Sequence, residues 1–491
     1  MAKRTAVIDI GSNSARLAVY EKSSRFAFHL LNETKSVIKI AEGCYDNDNF
    51  LQEIPMQRAM DALGEFMTIA TSLKCRKILC VATSALRDAK NKQQFILDVK
   101  QKLKLNIKII NGEKEAFLGA LSAINLLPQL DNFVTVDIGG GSTELALVKN
   151  RQIIRKISLD IGTVRVKELI FDKNLQDMLD IFLENEFSKL GDDFNCHTVV
   201  GIGGSIRAVS KLIMKKNSFP LKSLHAFNYL VDDEIYFINT LTNLSDKQLK
   251  KLGLKSDRLD TIREGSAIFN AIIKKLKSKK IVTSGAGVRE GVYLNDLLRG
   301  SNLLFPINFN PSVRNLLDRF IIDQKNPIFI SKIANRIFDT LAIKYSLDLN
   351  LKNSLLIACK LTEIGQNVNF HSSKEHSFYF ILNALSYGFT PNEKLLIALL
   401  TKYQNKKLPR ENLELEYIKL LPKFEQIEYL NFILTISVML NENLNKNDIE
   451  VALEDNYLII KSDKSLYLAK NRIKNIENPF QLNIKILDNN V

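Results

Sequence analysis

Ala6-Val-Ile-Asp-Ile-Gly-Ser-Asn-Ser-Ala-Arg-Leu-Ala-Val-Tyr20 is followed, 128 positions later counted on the aspartates (137 − 9), by Thr135-Val-Asp-Ile-Gly-Gly-Gly-Ser-Thr-Glu-Leu-Ala-Leu-Val148. Each stretch reads as a β-branched strand ending in aspartate, a Gly/Ser turn and a second alternating strand, which is a hairpin. A whole supersecondary unit repeated at domain-length spacing implies a duplicated fold with the two hairpins facing one another. After the first copy the pattern predicts strands over 26–31 and 36–40, a helix over 51–73, a strand over 77–83, a helix over 93–103, a strand over 106–110 and a helix over 113–126. After the second it predicts a strand over 152–158, helices over 164–171 and 178–190, a strand over 198–202, helices over 206–214 and 259–277, and a strand and glycine turn over 281–287. Such alternation indicates an α/β fold, mixed sheets covered by helices.

From about Gly300 the style changes. Pro306, Pro311 and Pro327 punctuate a linker, 330–441 reads as almost continuous amphipathic helix, and alternation returns over 449–453, 457–461 and 482–487, suggesting a small terminal sheet. The expected domains are therefore 1–125, 126–303, 304–441 and 442–491. A chain of 491 residues is too long for one core, in keeping with that division.

No apolar run approaches the length that crosses a bilayer, so no membrane partner is expected. Met1 to Arg4 lead straight into a strand, which predicts no secretory leader. Cys44, Cys75, Cys80, Cys196 and Cys359 are dispersed without a CxxC pair, the pattern of free thiols in a reducing cytoplasm. The net charge of +14 invites a polyanionic partner. Clusters such as Lys274, Lys275, Lys277, Lys279 and Lys280 fit a solvated helix face equally well, and the absence of Trp and of interleaved basic-aromatic runs argues against nucleic acid.

Two Gly/Ser hairpins, each preceded by Asp, make a coherent phosphate clamp. The glycines Gly139, Gly140 and Gly141 let backbone N–H groups converge on oxygens. Ser12, Ser14, Ser142 and Thr143 add hydroxyls, and Asn13 an amide. Asp9 and Asp137 would repel phosphate directly, so their natural role is to hold a hydrated Mg²⁺ that bridges to it. A single such turn could be ordinary packing; two copies with the acid retained point to binding. A further turn, Gly203-Gly204-Ser205, lies between a strand and a helix, where helix N-terminal amides form another anion site. Hydrolysis also needs a base. Glu113 and Glu115, where a strand meets a helix, are either first-turn acids complementing the helix dipole or carboxylates over the cleft, and composition leaves both open.

The motifs Asp9-Ile-Gly-Ser-Asn-Ser14, Ala82-Thr-Ser-Ala-Leu-Arg-Asp88, Gly112-Glu-Lys-Glu-Ala116, Asp137-Ile-Gly-Gly-Gly-Ser-Thr-Glu144, Ser158-Leu-Asp-Ile-Gly162, Gly201-Ile-Gly-Gly-Ser-Ile-Arg207 and Ser284-Gly-Ala-Gly-Val-Arg-Glu-Gly291 occur in this order. In them the chain resembles the exopolyphosphatase / guanosine pentaphosphate phosphatase (Ppx/GppA) family of the sugar kinase, heat-shock chaperone and actin superfamily, specifically over residues 1 to about 300. The resemblance implies duplicated actin-like (ribonuclease H-like) domains, an all-α HD-like domain and a small β-containing end. It implies release of terminal phosphate from inorganic polyphosphate, or conversion of guanosine pentaphosphate to the tetraphosphate, as in the stringent response. It further implies Glu113 as general base, Asp137 and Glu144 as Mg²⁺ ligands that order the water, Arg87 as a phosphate-chain contact, Arg258 as a weaker nucleotide contact, and a cytoplasmic homodimer. One departure stands out. The HD-type histidine is replaced by Thr362 in Cys359-Lys-Leu-Thr-Glu-Ile-Gly365, and although His371 and His376 follow, a metal site there is not expected. The alternatives are an ATP-dependent kinase or ATPase of the same superfamily, and a non-catalytic sensor of guanosine polyphosphates.

Overall fold

The computed structural model describes residues 3–321, 323, 325–444, 446 and 448–488; Met1 and Ala2 of the expected opening and the last three residues of the expected terminal domain lie outside them. The chain forms two compact units, Met1–Phe309 and Asn310–Val491.

In the first unit β1 (Arg4–Ile10) and β2 (Ala15–Lys22) form the first hairpin, joined by β3 (Phe28–Ser36), β4 (Lys77–Ala82) and β5 (Ile107–Ile109) in the order β3-β2-β1-β4-β5. The second hairpin, β6 (Asn132–Ile138) and β7 (Thr143–Lys149), continues with β8 (Gln152–Leu159), β9 (Thr198–Ile202), β10 (Asn228–Leu230) and β11 (Lys280–Thr283) in the order β10-β11-β9-β6-β7-β8. Leaving out β10, the two sheets have one topology: an antiparallel meander of three strands, then a strand parallel to the first hairpin strand and a second parallel strand beyond it. The duplication read from the hairpins extends through both sheets. Register follows suit, for Asp9 lies opposite Arg16 and Asp137 opposite Glu144.

Each sheet has its own apolar core, one around Ile8, Leu17 and Phe66 and the other around Val136, Phe187 and Phe269. Helices Gly112–Leu126 and Val288–Leu297 pack on each other, the first against β6, β7 and β8 and the second against β1. Helix Gly112–Leu126 is buried along most of its length, and its small residues Ala116, Ala120 and Ala123 let it sit close on the second sheet. Asn111 caps it, accepting the Lys114 amide at 2.8 Å.

The structure differs from the sequence pattern in places. The strand expected in two pieces over 26–31 and 36–40 is the single β3, which ends before the positive φ of Lys39. The helix expected over 164–171 is one α-turn, Thr163–Val166, followed by a π-helical turn, Lys167–Phe171. In the second unit Pro311 and Pro327 do not mark a linker. Pro311 opens helix Pro311–Phe320 at its first position and Pro327 lies in the first turn of helix Lys325–Leu341, where the missing N–H costs nothing. The helical stretch that follows is divided, notably by the Thr390 capping box that starts helix Pro391–Tyr403. The end of the chain forms the expected small sheet, β12 (Ile449–Glu454), β13 (Tyr457–Ser462) and β14 (Asn483–Asp488), with β13 and β14 parallel across helix Tyr467–Ile473.

The crossing of helices Gly112–Leu126 and Val288–Leu297 depends on Gly291, where a Cβ would collide with the carbonyl of Leu118. Gly291→Ala should destabilise the first unit by about 1–3 kcal/mol, the cost of overpacking. Gly300→Ala, with nothing within 4 Å, should change stability by less than about 0.5 kcal/mol. Urea denaturation of both variants checks this.

Candidate active site

The two hairpin turns meet face to face. Each is closed by the same bond, Gly11 N–H to the Ser14 carbonyl at 3.1 Å and Gly139 N–H to the Ser142 carbonyl at 2.9 Å. The tip carbonyls are taken by loop amides: Ser12 O by Ala41, Asn13 O by Lys39, Gly139 O by Thr163 and Gly140 O by Val164. Bonded in this way, those carbonyls are not free to face an anion. A Cβ at Gly140 would lie 2.7 Å from the Ser12 side chain, and one at Gly141 would overlap the Tyr45 hydroxyl. The glycines are thus needed as much for hairpin to approach hairpin as for ligand to approach backbone.

A narrow cleft of about 150 Å³ lies along this meeting line. Of the expected site residues, Asp9, Ser12, Asn13, Ser14, Asp137, Gly139, Gly140, Gly203, Gly204, Ser205 and Arg258 line it. Gly203 adopts φ +84°, which turns β9 into helix Gly203–Lys216 beside the Asp137 carboxylate. The Arg258 guanidinium lies directly over Gly204 at the cleft.

Other expectations are corrected. Glu113 is exposed and does not line the cleft; Glu115, two positions on, is buried and does. Thr143 is fully buried and donates to the Ile161 carbonyl, so its hydroxyl is not available to phosphate. Ser142 donates to Glu144 Oε1 at 2.6 Å and accepts from Arg87 Nη2 at 3.1 Å, and it too lies behind the cleft wall. Arg87, whose Nη1 is 3.2 Å from Glu115 Oε2, holds the carboxylate there and is absent from the lining. Glu144 completes this group, accepting from Ser158 at 2.8 Å, and its Oε2 is buried without a partner.

Three cleft arginines went unassigned at the level of sequence although all stand in quoted motifs: Arg16, Arg207 and Arg289. Arg207 is held by the Ser284 and Ala286 carbonyls at 2.7 and 2.9 Å. Burial and the neighbouring guanidiniums of Arg289, Arg207 and Arg258 pull Arg16 down to about 10. Burial opposes the charge on Arg289, but Glu290, Tyr20 and Glu33 keep it raised overall. Arg16 and Arg207, both lowered by burial and by their arginine neighbours, are short of negative charge.

The carboxylates show the opposite shortage. Burial raises Asp9, and it raises Asp137 to about 6, with Asp9 adding and Arg207 opposing. Burial also lifts Glu115, with Glu144 adding to it, and lifts Glu144, with Asp137 adding and Ser142 opposing; the Arg87 guanidinium only partly offsets this. Among the described residues no three His, Cys, Asp or Glu side chains converge into a group that could hold a metal by themselves, and this includes the degenerate HD-like stretch, where the Thr362 hydroxyl bonds the Cys359 carbonyl. Buried, charge-starved oxygen donors on one cleft nevertheless fit a largely hydrated Mg²⁺, which needs only one or two carboxylates.

Duplicated lobes closing two Gly/Ser hairpins on a cleft of arginines and carboxylates define an actin-like fold. The chain belongs to the Ppx/GppA phosphatase family, whose profile matches residues 18–300, and a profile of domain III of that phosphatase matches residues 310–482. It is similar to the Ppx/GppA family member of Aquifex aeolicus, with 26% identity over 61% of this chain and 99% of that one and a TM-score of 0.52. It also shares its fold with an exopolyphosphatase from Cytophaga hutchinsonii, with 21% identity over 60% and 98% of the two chains and a TM-score of 0.56. No helix among the described residues is long and apolar enough to cross a membrane.

Asp137 binds its proton more tightly when folded, at about 6 against an ordinary 3.8. Its contribution is therefore favourable at low pH and is lost as pH rises through that window. In metal-free buffer at pH 7, Asp137→Asn should raise stability by on the order of 1–2 kcal/mol, a figure reduced for partial exposure. Thermal unfolding at pH 4 and pH 7 measures it, and an equal effect at both would contradict the assignment.

Proposed function

We propose that the protein removes the terminal phosphoryl group of a linear phosphate chain by attack of water. Inorganic polyphosphate is the first substrate, and guanosine pentaphosphate, which ends in the same kind of chain, is a second. The single observation that carries this is the buried Glu115 carboxylate in a cleft that also holds Arg16, Arg207, Arg258 and Arg289. The guanidiniums supply planar donors for successive phosphates. A carboxyl held above its ordinary range by burial is a base matched to neutral pH.

In this reading Glu115 takes the proton of the attacking water, the role that sequence resemblance gave to Glu113. Arg87 and Glu144 fix its charge and position from behind. The amides of the two hairpins and of Gly204-Ser205 receive the charge that develops on the transferred phosphoryl oxygens. Asp9 and Asp137 would hold Mg²⁺, with Glu144 adding negative charge behind them; when bound, the ion neutralises phosphate charge and helps order water. The exopolyphosphatase name of one structural relative supports polyphosphate, and Arg258 over Gly204 leaves room for a nucleotide contact.

Phosphate release from long-chain polyphosphate and from guanosine pentaphosphate, with Mg²⁺ and with chelator, tests the substrate class. Glu115→Gln should lower kcat by at least about 10²-fold with binding retained, whereas Glu113→Gln should stay within about twofold of wild type. The reverse ranking would return the base to Glu113. Because Glu115 acts deprotonated and is raised, kcat should climb from acid toward neutral pH, and saturating Mg²⁺ should move that limb to lower pH. A flat profile from pH 5 to 8 would contradict a carboxylate base.

A further inference from the structure

β3 is one edge of the first sheet, and its residue Glu33 reaches toward the cleft without lining it. Its Oε1 is 2.6 Å from Arg289 Nη1 and 3.6 Å from Arg16 Nη1. The two arginines come from distant parts of the chain, one from β2 and the other from helix Val288–Leu297, and both line the cleft. Across the β2–β3 ladder Arg16 stands opposite Lys35, a like charge, and Glu33 is one pair further along on the same face. Lys35 itself is drawn away to Asp257 at 2.5 Å.

Resting on the phosphate-chain reading above, we propose that Glu33 is a positioning residue: from outside the cleft it accepts a hydrogen bond from Nη1 of Arg289 and forms an ion pair with Nη1 of Arg16, and thereby aims their remaining N–H groups at the substrate. A guanidinium is a rigid planar fork, so fixing one edge fixes where the other points. The side chains of Arg289 and Arg16 are only 8% and 21% exposed, so little water competes for those edges, while Glu33 is 42% exposed and takes no space from the substrate. Glu33 also works against the depression of Arg16 by its arginine neighbours. An anion in this position both orders the arginines and competes with phosphate for them. Orientation favours turnover; competition weakens ground-state binding.

These opposed effects make a signature. With long-chain polyphosphate, Glu33→Gln should lower kcat about tenfold and lower KM about threefold, a split that loss of fold would not produce. Glu33→Asp, which keeps the charge on a shorter arm, should recover part of kcat. Both are compared with wild type at matched melting temperature. Parameters within twofold of wild type, or a raised KM with unchanged kcat, would overturn the role. Should wild type release no phosphate from polyphosphate, the substrate reading fails by itself, and direct binding of polyphosphate decides Glu33 separately. Tighter binding by Glu33→Gln is expected there, and equal or weaker binding would overturn the inference.

Discussion

Two backbone turns pressed together leave no room for side chains between them, and the chemistry around the cleft follows from that contact. Gly140 and Gly141 lie against Ser12, Ser84 and Tyr45, so the hairpins bring Asp9 and Asp137 into one shared cleft. Burial then acts as the dominant electrostatic influence on every acid there, ahead of any single neighbouring charge. Arg165 strengthens the contact from one side. It donates to the Gly141 carbonyl at 2.8 Å, pairs with Asp88 at 2.5 Å and lies over the Tyr45 ring.

The duplication is conserved in backbone and altered in charge. The position across the ladder from Asp9 is Arg16, whereas the position across from Asp137 is Glu144, and the two partners stand at equivalent places in the repeat. The first hairpin is thereby close to neutral and the second carries two acids. The carboxylates therefore gather at the second hairpin, and the arginine of the first lines the cleft beside them. One fold, used twice, supplies both halves of a phosphate-handling site.

Much of this was legible in the sequence because the hairpins announce themselves locally: alternation, an acid at the strand end and Gly/Ser at the turn. Mixed sheets followed from the alternation of strands and helices, whereas their strand order came from the structure. What stayed hidden depends on direction. Glu113 and Glu115 are two positions apart on one helix, hence about 200° apart around it, and the packing of that helix on the second sheet, with Gly112 close against Ser158, decides which of them turns inward. Ser142 and Thr143 suffer the same ambiguity after a turn, and both point away from the cleft. Arg16, Arg207 and Arg289 were in view as letters, but an arginine near a glycine motif declares nothing until its partners are known. Pro311 and Pro327 were misread because proline at a helix start and proline in a linker look alike without the following turn.

The edge strand β3 has a further consequence. A strand with one unpaired side is open to extension by a strand from another molecule. Here Glu33 and Lys35 are committed to partners on the other lobe, Arg289 and Asp257. The charges that hold the cleft arginine therefore also make β3 a charged edge, a kind that disfavours strand-to-strand pairing.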